Sequence, residues 1–450
     1  MLDFLPRLPR GARPLVLGIV LGISLSISSS AIVQYFERRR RRIALSQSQA
    51  SELESRPIEL RSDEILNGIV GIVGNTPLVR IQSLSDALGV EILAKAEAGL
   101  YLNPGGSVKD RVAVRMIDDA ERQGLLHPHT GSRIFEGTSG STGISLAMVA
   151  RARGYAATII TPDDMAAEKL HALRSLGADV EQVRPASIVD KKQFVNIARQ
   201  RALEFSSAYS PSVLSSSEDS LAVLTDSAAR GFFADQFENK SNYDAHFDGT
   251  GPELWRQTNG NVKAFVSGAG TGGTIAGVGR FLKSMKEDIM ICLADPQGSG
   301  LYNKVKHGVM FDQREKEGTK RRHQVDTVVE GIGINRLTQN IELALPLIDD
   351  AFRVTDPEVV AMARYLVKHD GLFVGSSSAC NLVACVRLVK KMGWRGGERI
   401  VTVLCDSGAR HYSKVSNDDY LRAEEIPIDL SLIEEMLSVD SIRPTQRQPP

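Results

Sequence analysis

Ala264-Phe265-Val266-Ser267-Gly268-Ala269-Gly270-Thr271-Gly272-Gly273-Thr274 is the stretch that decides the fold. A short apolar run ends at Ser267, four glycines make the chain turn tightly, and a helix-length amphipathic segment continues to Lys286. Strand, glycine turn and helix in that order are the first half of a βαβ unit; the apolar run 290–294 supplies its second strand. The same rhythm recurs along the chain. Strand-like runs occur at 91–96, 156–161 and 399–404, and helical periodicity at 108–122, 142–153, 165–176, 357–369 and 379–391. Gly154 and Gly177 stand where left-handed helix caps are needed. The expected fold class is α/β, with parallel strands covered by helices on both faces. The serine-rich stretch 206–220 and the charge-dense stretch 312–322 interrupt the rhythm and are expected to be exposed insertions. The chain after Ile426, ending Arg-Pro-Thr-Gln-Arg-Gln-Pro-Pro, is expected to be a flexible tail.

Composition narrows the function classes. Lysine plus arginine equals aspartate plus glutamate at 54 each, so no global field points to nucleic acid. Cys292, Cys380, Cys385 and Cys405 form no CxxC pair, and buried free thiols are expected rather than disulfides or zinc. His127 and His129 bracket Pro128 in a loop, but two histidines are too few ligands, and no metal is assigned.

The first sixty residues read as a separate object. Residues 14–36 carry no formal charge, and 23 residues of helix span roughly 34 Å, enough for a bilayer core. Arg7, Arg10 and Arg13 precede the segment and the run Arg38 to Arg42 follows it. Residues 28–31 would suit a signal cleavage site, and a mitochondrial presequence would be amphipathic rather than continuously apolar. A retained N-terminal membrane helix fits best. The heavier positive charge on its C-terminal side keeps the catalytic body cytosolic, and basic flanks on both sides suit a mitochondrial outer-membrane single-pass anchor. The expected organisation is anchor and linker over 1–62, a catalytic domain over 63–424 and a tail over 425–450.

Three further segments carry chemistry beside the opening glycine stretch. Asn103-Pro104-Gly105-Gly106-Ser107-Val108-Lys109-Asp110-Arg111 places Lys109 in a first helical turn, with Ser107 and Asp110 spaced as a capping pair. The positive helix end there disfavours protonation of an amine, which suits a nucleophile or base; a solvated lysine on a capped helix is the alternative. Glu136-Gly137-Thr138-Ser139-Gly140-Ser141-Thr142-Gly143 offers hydroxyls and backbone N–H groups for a carboxylate or phosphate, or else merely a hydroxyl-capped helix. Gly268, Gly270 and Gly273 fit the dinucleotide pattern GxGxxG, with Asp295 about twenty residues on; the same loop would equally cradle a single phosphate, with Thr271 and Thr274 adding hydroxyls. Gly375-Ser376-Ser377-Ser378-Ala379 either caps a helix or presents a hydroxyl to a heteroaromatic nitrogen.

In this order the four segments resemble the fold-type II pyridoxal-phosphate (PLP) enzymes, in particular the cysteine synthase and cystathionine β-synthase family. The likeness runs from about residue 63 to 420 and includes Gly74-Asn75-Thr76-Pro77-Leu78. It implies a two-lobed α/β enzyme and displaces the dinucleotide reading. It further implies that Lys109 forms the Schiff base with PLP, that Gly270, Thr271, Gly272, Gly273 and Thr274 hold its phosphate, and that Ser377 meets its pyridine nitrogen. Thr138, Ser139, Thr142 and Gln236 (the last within Phe232-Phe233-Ala234-Asp235-Gln236-Phe237) would bind the substrate carboxylate.

The family loop usually reads TSGNTG, with its asparagine contacting the cofactor's phenolic oxygen; here Ser141 holds that position. Glu330-Gly331-Ile332-Gly333-Ile334-Asn335-Arg336 keeps the family GIG and resembles the fungal membrane-associated branch called cysteine synthase 2. Ala294-Asp295-Pro296-Gln297-Gly298-Ser299 resembles its β-synthase counterpart, and no regulatory module of the cystathionine β-synthase kind is expected after Tyr420. The implied activity is PLP-dependent β-replacement, making L-cysteine from O-acetylserine (or a related activated serine) and sulfide. β-Elimination, or a membrane-tethered PLP-binding protein of weak turnover, are the alternatives. A homodimer is the family expectation.

Overall fold

The computed structural model describes residues 65–98, 102–208, 229–312 and 327–438, all within the unit Pro57–Pro450. The apolar segment 14–36 and most of the two expected insertions lie outside these residues. Among the described residues no helix is long and apolar enough to cross a membrane.

The strands are β1 (Leu78–Arg80), β2 (Glu91–Ala96), β3 (Arg133–Gly137), β4 (Ala156–Pro162), β5 (Asp179–Val183), β6 (Gly231–Phe233), β7 (Ala264–Gly268), β8 (Met290–Pro296), β9 (Asp350–Val354) and β10 (Arg399–Leu404). They build two sheets: six strands in the order β1-β2-β10-β7-β8-β9 and four in the order β5-β4-β3-β6. Every pairing is parallel except β1 with β2. The two sheets give the two expected lobes. Order departs from chain order in the larger sheet because β10, the last strand, inserts between β2 and β7, and in the smaller because β6 pairs with β3 rather than β5.

Burial on both faces explains the continuous apolar runs. Along β7, Ala264 and Val266 join one core cluster while Phe265 joins the other across the sheet. Along β10, Ile400 and Leu404 face the first cluster and Val401 and Val403 the second. Successive side chains alternate faces, so a strand covered on both sides is mostly apolar, and its buried polar members find partners, as Thr402 does in the Val266 carbonyl at 2.8 Å. Each fully buried side chain of this size contributes about 1.5–3 kcal/mol. A third cluster, including Met116, Ile144, Ile159 and Leu173, fills the smaller lobe.

Helix and strand bounds lie within a few residues of the periodicity. Strands 91–96 and 399–404 match to the residue, and Gly154 closes its helix at φ 77°. Two expectations need correction. Ser107 and Asp110 do not form a capping pair: Val108 is the helix N-cap, with no side-chain cap bond. Asp110 instead accepts the Gly105 N–H at 2.6 Å and the Ser145 hydroxyl, because it is buried and both donors reach it. The chain beyond Ile426 is not loose as far as Ser438. A helix at Ser431–Leu437 buries Ile433 and Leu437 in the main core, an apolar spacing overlooked beside the polar terminus.

Candidate active site

Parallel strands release their chains at one edge, and turns there collect ligands. Three helices begin after strands, Lys109–Arg122 after β2, Ser141–Arg153 after β3 and Gly273–Met285 after β7; a fourth, Ser376–Met392, follows not the expected strand but a helix and the isolated bridge of Val374 with Ser407. The last three start from a glycine N-cap, Gly140, Gly272 or Gly375, and none has a side chain capping it. Gly272 stands at φ 92°, a conformation other residues resist. The unpaired N–H groups of these helix ends favour an anion, and the nearby hydroxyls are not consumed as caps.

A cavity of about 950 Å³ gathers the site. Lys109, Thr138, Ser139, Ser141, Thr142, Gln236, Gly270, Thr271 and Ser377 all line it. Gly272, Gly273 and Thr274 stand behind that wall. The Thr274 hydroxyl is 3.1 Å from His246 Nε2, and Asn242 Nδ2 donates to Thr271 Oγ1 at 2.9 Å, so both hydroxyls of the loop are held from the rear.

The three serines after Gly375 divide their work. Ser376 Oγ accepts the Glu330 N–H at 3.0 Å and Ser378 Oγ accepts the Cys405 N–H at 2.8 Å, leaving Ser377 facing the cavity. Thr142 donates to Gln236 Oε1 at 2.6 Å, joining two segments expected to share one ligand. Behind Gln236, burial and the neighbouring Asp235 push the Glu136 carboxyl well above its usual range.

Burial lowers the Lys109 pKa, against the opposing pull of Cys405 and Asp406. The same burial raises the Cys405 thiol to about 11. A lowered pKa makes a lysine amine a better nucleophile and base; the solvated-lysine alternative does not survive its place in the cavity wall. Asp295, the acidic residue of the dinucleotide reading, is fully buried away from the cavity, where it accepts the Tyr302 N–H at 2.7 Å. Burial brings its pKa to about 7.

Several residues at the site were not singled out in the sequence, and Glu330 was noted there only as the start of the GIG segment. Arg410 Nη1 donates to Ser141 Oγ at 2.8 Å. Glu330 pairs with Lys169, and with Lys414 at 2.8 Å, tying the smaller lobe to the larger. Burial would raise its pKa, but Lys169, Lys414 and His411 hold it at about 2. Asp406 accepts from His411 Nε2 at 3.1 Å and lies beside Lys109. The signal that could have found Asp406, Arg410 and His411 is Cys405-Asp406-Ser407-Gly408-Ala409-Arg410-His411, another polar glycine turn after an apolar strand.

The donors present fit PLP. A helix N-terminus with Gly270 and Thr271 suits its phosphate, the Lys109 amine suits its aldehyde, and the Ser377 hydroxyl suits its ring nitrogen. Among the described residues no group of side chains could hold a metal ion.

Comparison with known proteins agrees with this chemistry. The family described as "Pyridoxal-phosphate dependent enzyme" matches residues 69–406. A Schizosaccharomyces pombe protein named cysteine synthase 2 is 51% identical over 416 residues, covering 92% of this chain and 98% of its own length. A Saccharomyces cerevisiae relative, named for a mitochondrial cysteine synthase, is 49% identical over 83% of this chain and 88% of its own. Among solved structures, an O-ureido-L-serine synthase superposes with a TM-score of 0.63 at 26% identity, covering 80% of this chain and all of its own.

Proposed function

This chain belongs to the pyridoxal-phosphate dependent enzyme family, and on that premise we propose that it makes L-cysteine from O-acetylserine and sulfide. The Cβ–O bond of the activated serine breaks, acetate leaves, and a Cβ–S bond forms. PLP, when bound, withdraws electrons from the substrate's α-carbon so that the leaving group can depart. Lys109 carries the cofactor and moves the α-proton, a role its lowered pKa supports. Thr138, Ser139, Thr142 and Gln236 orient the substrate carboxylate. Gly270 to Thr274 receive the cofactor phosphate through backbone N–H groups and Thr271. Ser377 meets the ring nitrogen as a neutral hydroxyl, which leaves the ring less electron-poor than a carboxylate partner would and favours β-replacement over transamination. Ser141 faces the phenolic oxygen.

One observation carries the reading. The lysine, the hydroxyl-rich loop, the glycine loop and Ser377 come from four separate segments and converge on one cavity. The deciding experiment gives the full chain PLP and O-acetylserine, with and without sulfide, and separates the products. L-Cysteine formed only with sulfide supports the proposal; pyruvate and ammonia at equal rates in both arms would replace it with β-elimination.

Residues 1–62 are proposed to place this enzyme at a mitochondrial membrane, with 14–36 as the anchor and the catalytic body facing the cytosol. The uncharged 23-residue span, the following arginines and the relative's mitochondrial name support it. The full chain should sediment with mitochondrial membranes and lose its body to protease added outside intact organelles. Full protection of the body would show an internal location instead.

A further inference from the structure

Ser141 lines the cavity at a helix start, and its hydroxyl oxygen already accepts a bond from Arg410 Nη1 at 2.8 Å. No acceptor among the described residues takes its proton, which is therefore available to whatever fills the cavity. Arg410 comes from the short 3-10 helix Gly408–His411, which follows β10 and is capped by the Ser407 hydroxyl. Its guanidinium reaches Ser141 over the Lys109 loop: a Cβ on Gly106, at φ 78°, would lie 3.0 Å from Arg410 Nη2. Asp110 and Asp406 both act on its charge, so it is a half-buried cation between two carboxylates, within hydrogen-bond reach of Ser141.

We propose that Arg410 and Ser141 act as one donor unit for an anionic oxygen of the bound ligand, the phenolic oxygen of PLP, with Arg410 as the positioning residue. This rests on the cofactor reading above. A lone serine hydroxyl rotates and can give its proton in several directions. Arg410 removes that freedom by occupying the oxygen's lone pair, so the proton points into the cavity. The guanidinium also polarises the O–H bond and places a positive charge one group behind the ligand oxygen. The amide of the family's asparagine would supply a donor without such a partner; the serine needs one, and it comes from 269 residues along the chain.

The test is PLP titration of apo-protein, followed by absorbance, for the wild-type chain, Arg410→Met, Arg410→Lys, Ser141→Ala and the Arg410→Met/Ser141→Ala double variant. Thermal unfolding of each reports the fold separately. Arg410→Met is expected to weaken PLP binding roughly tenfold or more, and to move the pH titration of the bound cofactor's absorbance upward by about one pH unit. Arg410→Lys should restore most of the pH shift but less of the affinity, since it keeps the charge without the planar fork. The double variant should be no weaker than Ser141→Ala by more than about twofold, because the arginine acts through the hydroxyl. Multiplying effects of the two substitutions, or an Arg410→Met protein with wild-type affinity and pH titration, would overturn the proposal. A wild-type chain that takes up no PLP would refute the cofactor reading itself, whereas uptake indifferent to Arg410 refutes this proposal alone.

Discussion

Glu253→Gln tests what holds the Lys109 helix in place. Arg111, two residues beyond Lys109, meets Glu97 through Nε at 2.7 Å and Nη2 at 2.8 Å, and Glu253 through Nη1 at 2.7 Å and Nη2 at 2.8 Å. Lys95, fully buried, adds a bond to Glu253 Oε2 at 2.6 Å. Two cations and two carboxylates balance, and Glu253→Gln leaves one buried positive charge in excess. Breaking a buried pair in this way costs about 3–5 kcal/mol. The pKa gives an independent figure. Burial would raise the Glu253 carboxyl, but Arg111 and Lys95 hold it at about 2 against an ordinary 4.5. At 1.36 kcal/mol per pH unit the gap corresponds to about 3 kcal/mol. Because the folded pKa is depressed, this stabilisation is complete above pH 4.5 and is lost as pH falls through about 2. Guanidinium unfolding of wild-type and variant chains at pH 7, 5.5 and 3.5 measures it. The variant should be less stable by about 3 kcal/mol at the two higher values, with the deficit shrinking at the lowest. A deficit below about 1 kcal/mol at pH 7, or one that persists undiminished in acid, would refute the reasoning.

Three further outcomes are expected. Lys109→Ala should keep the fold but lose all borohydride-fixable PLP, which peptide mapping of the reduced wild-type chain should place on Lys109 alone; an adduct on another lysine in the variant would remove the assignment. Gln236→Leu takes one donor from the proposed carboxylate site and leaves Thr142 without its acceptor, so KM for the amino-acid substrate should rise roughly 10- to 100-fold with kcat changed much less. The half-buried Cys405 thiol, raised to about 11, should resist alkylation at pH 8 and react increasingly as pH approaches 11, read by mass spectrometry; rapid labelling at pH 8 would contradict the raised pKa.

What could be read from the residues, and what could not, divides by the range of the interactions. Strands β2 and β10 were legible to the residue because the short apolar runs Ile92-Leu93-Ala94 and Ile400-Val401 with Val403-Leu404 mark them, and that composition is local. The helix expected from residue 379 begins at Ser376, because the sequence does not say whether the three serines precede the helix or belong to its first turn. Ser107 and Asp110 have the spacing of a capping pair, yet Ser145 and Gly105 claim the carboxylate once the chain folds. A spacing rule counts only neighbours along the chain.

The sequence by itself determined the alternation of strand, glycine turn and helix, and the segments where ligand chemistry would lie. Glycine conformation, apolar period and helix-end polarity act over a few residues, so they are written in consecutive positions. Only the tertiary structure decided that β10 enters between β2 and β7, and this insertion carries Asp406 to the cavity wall, with Arg410 behind Ser141 and His411 against Asp406. It also decided which hydroxyl is left facing the cavity, since Ser376 and Ser378 are spent on the backbones of Glu330 and Cys405 while Ser377 is not. The physical reason is that a buried polar group must find a partner, and at Ser141 the partner stands 269 residues away.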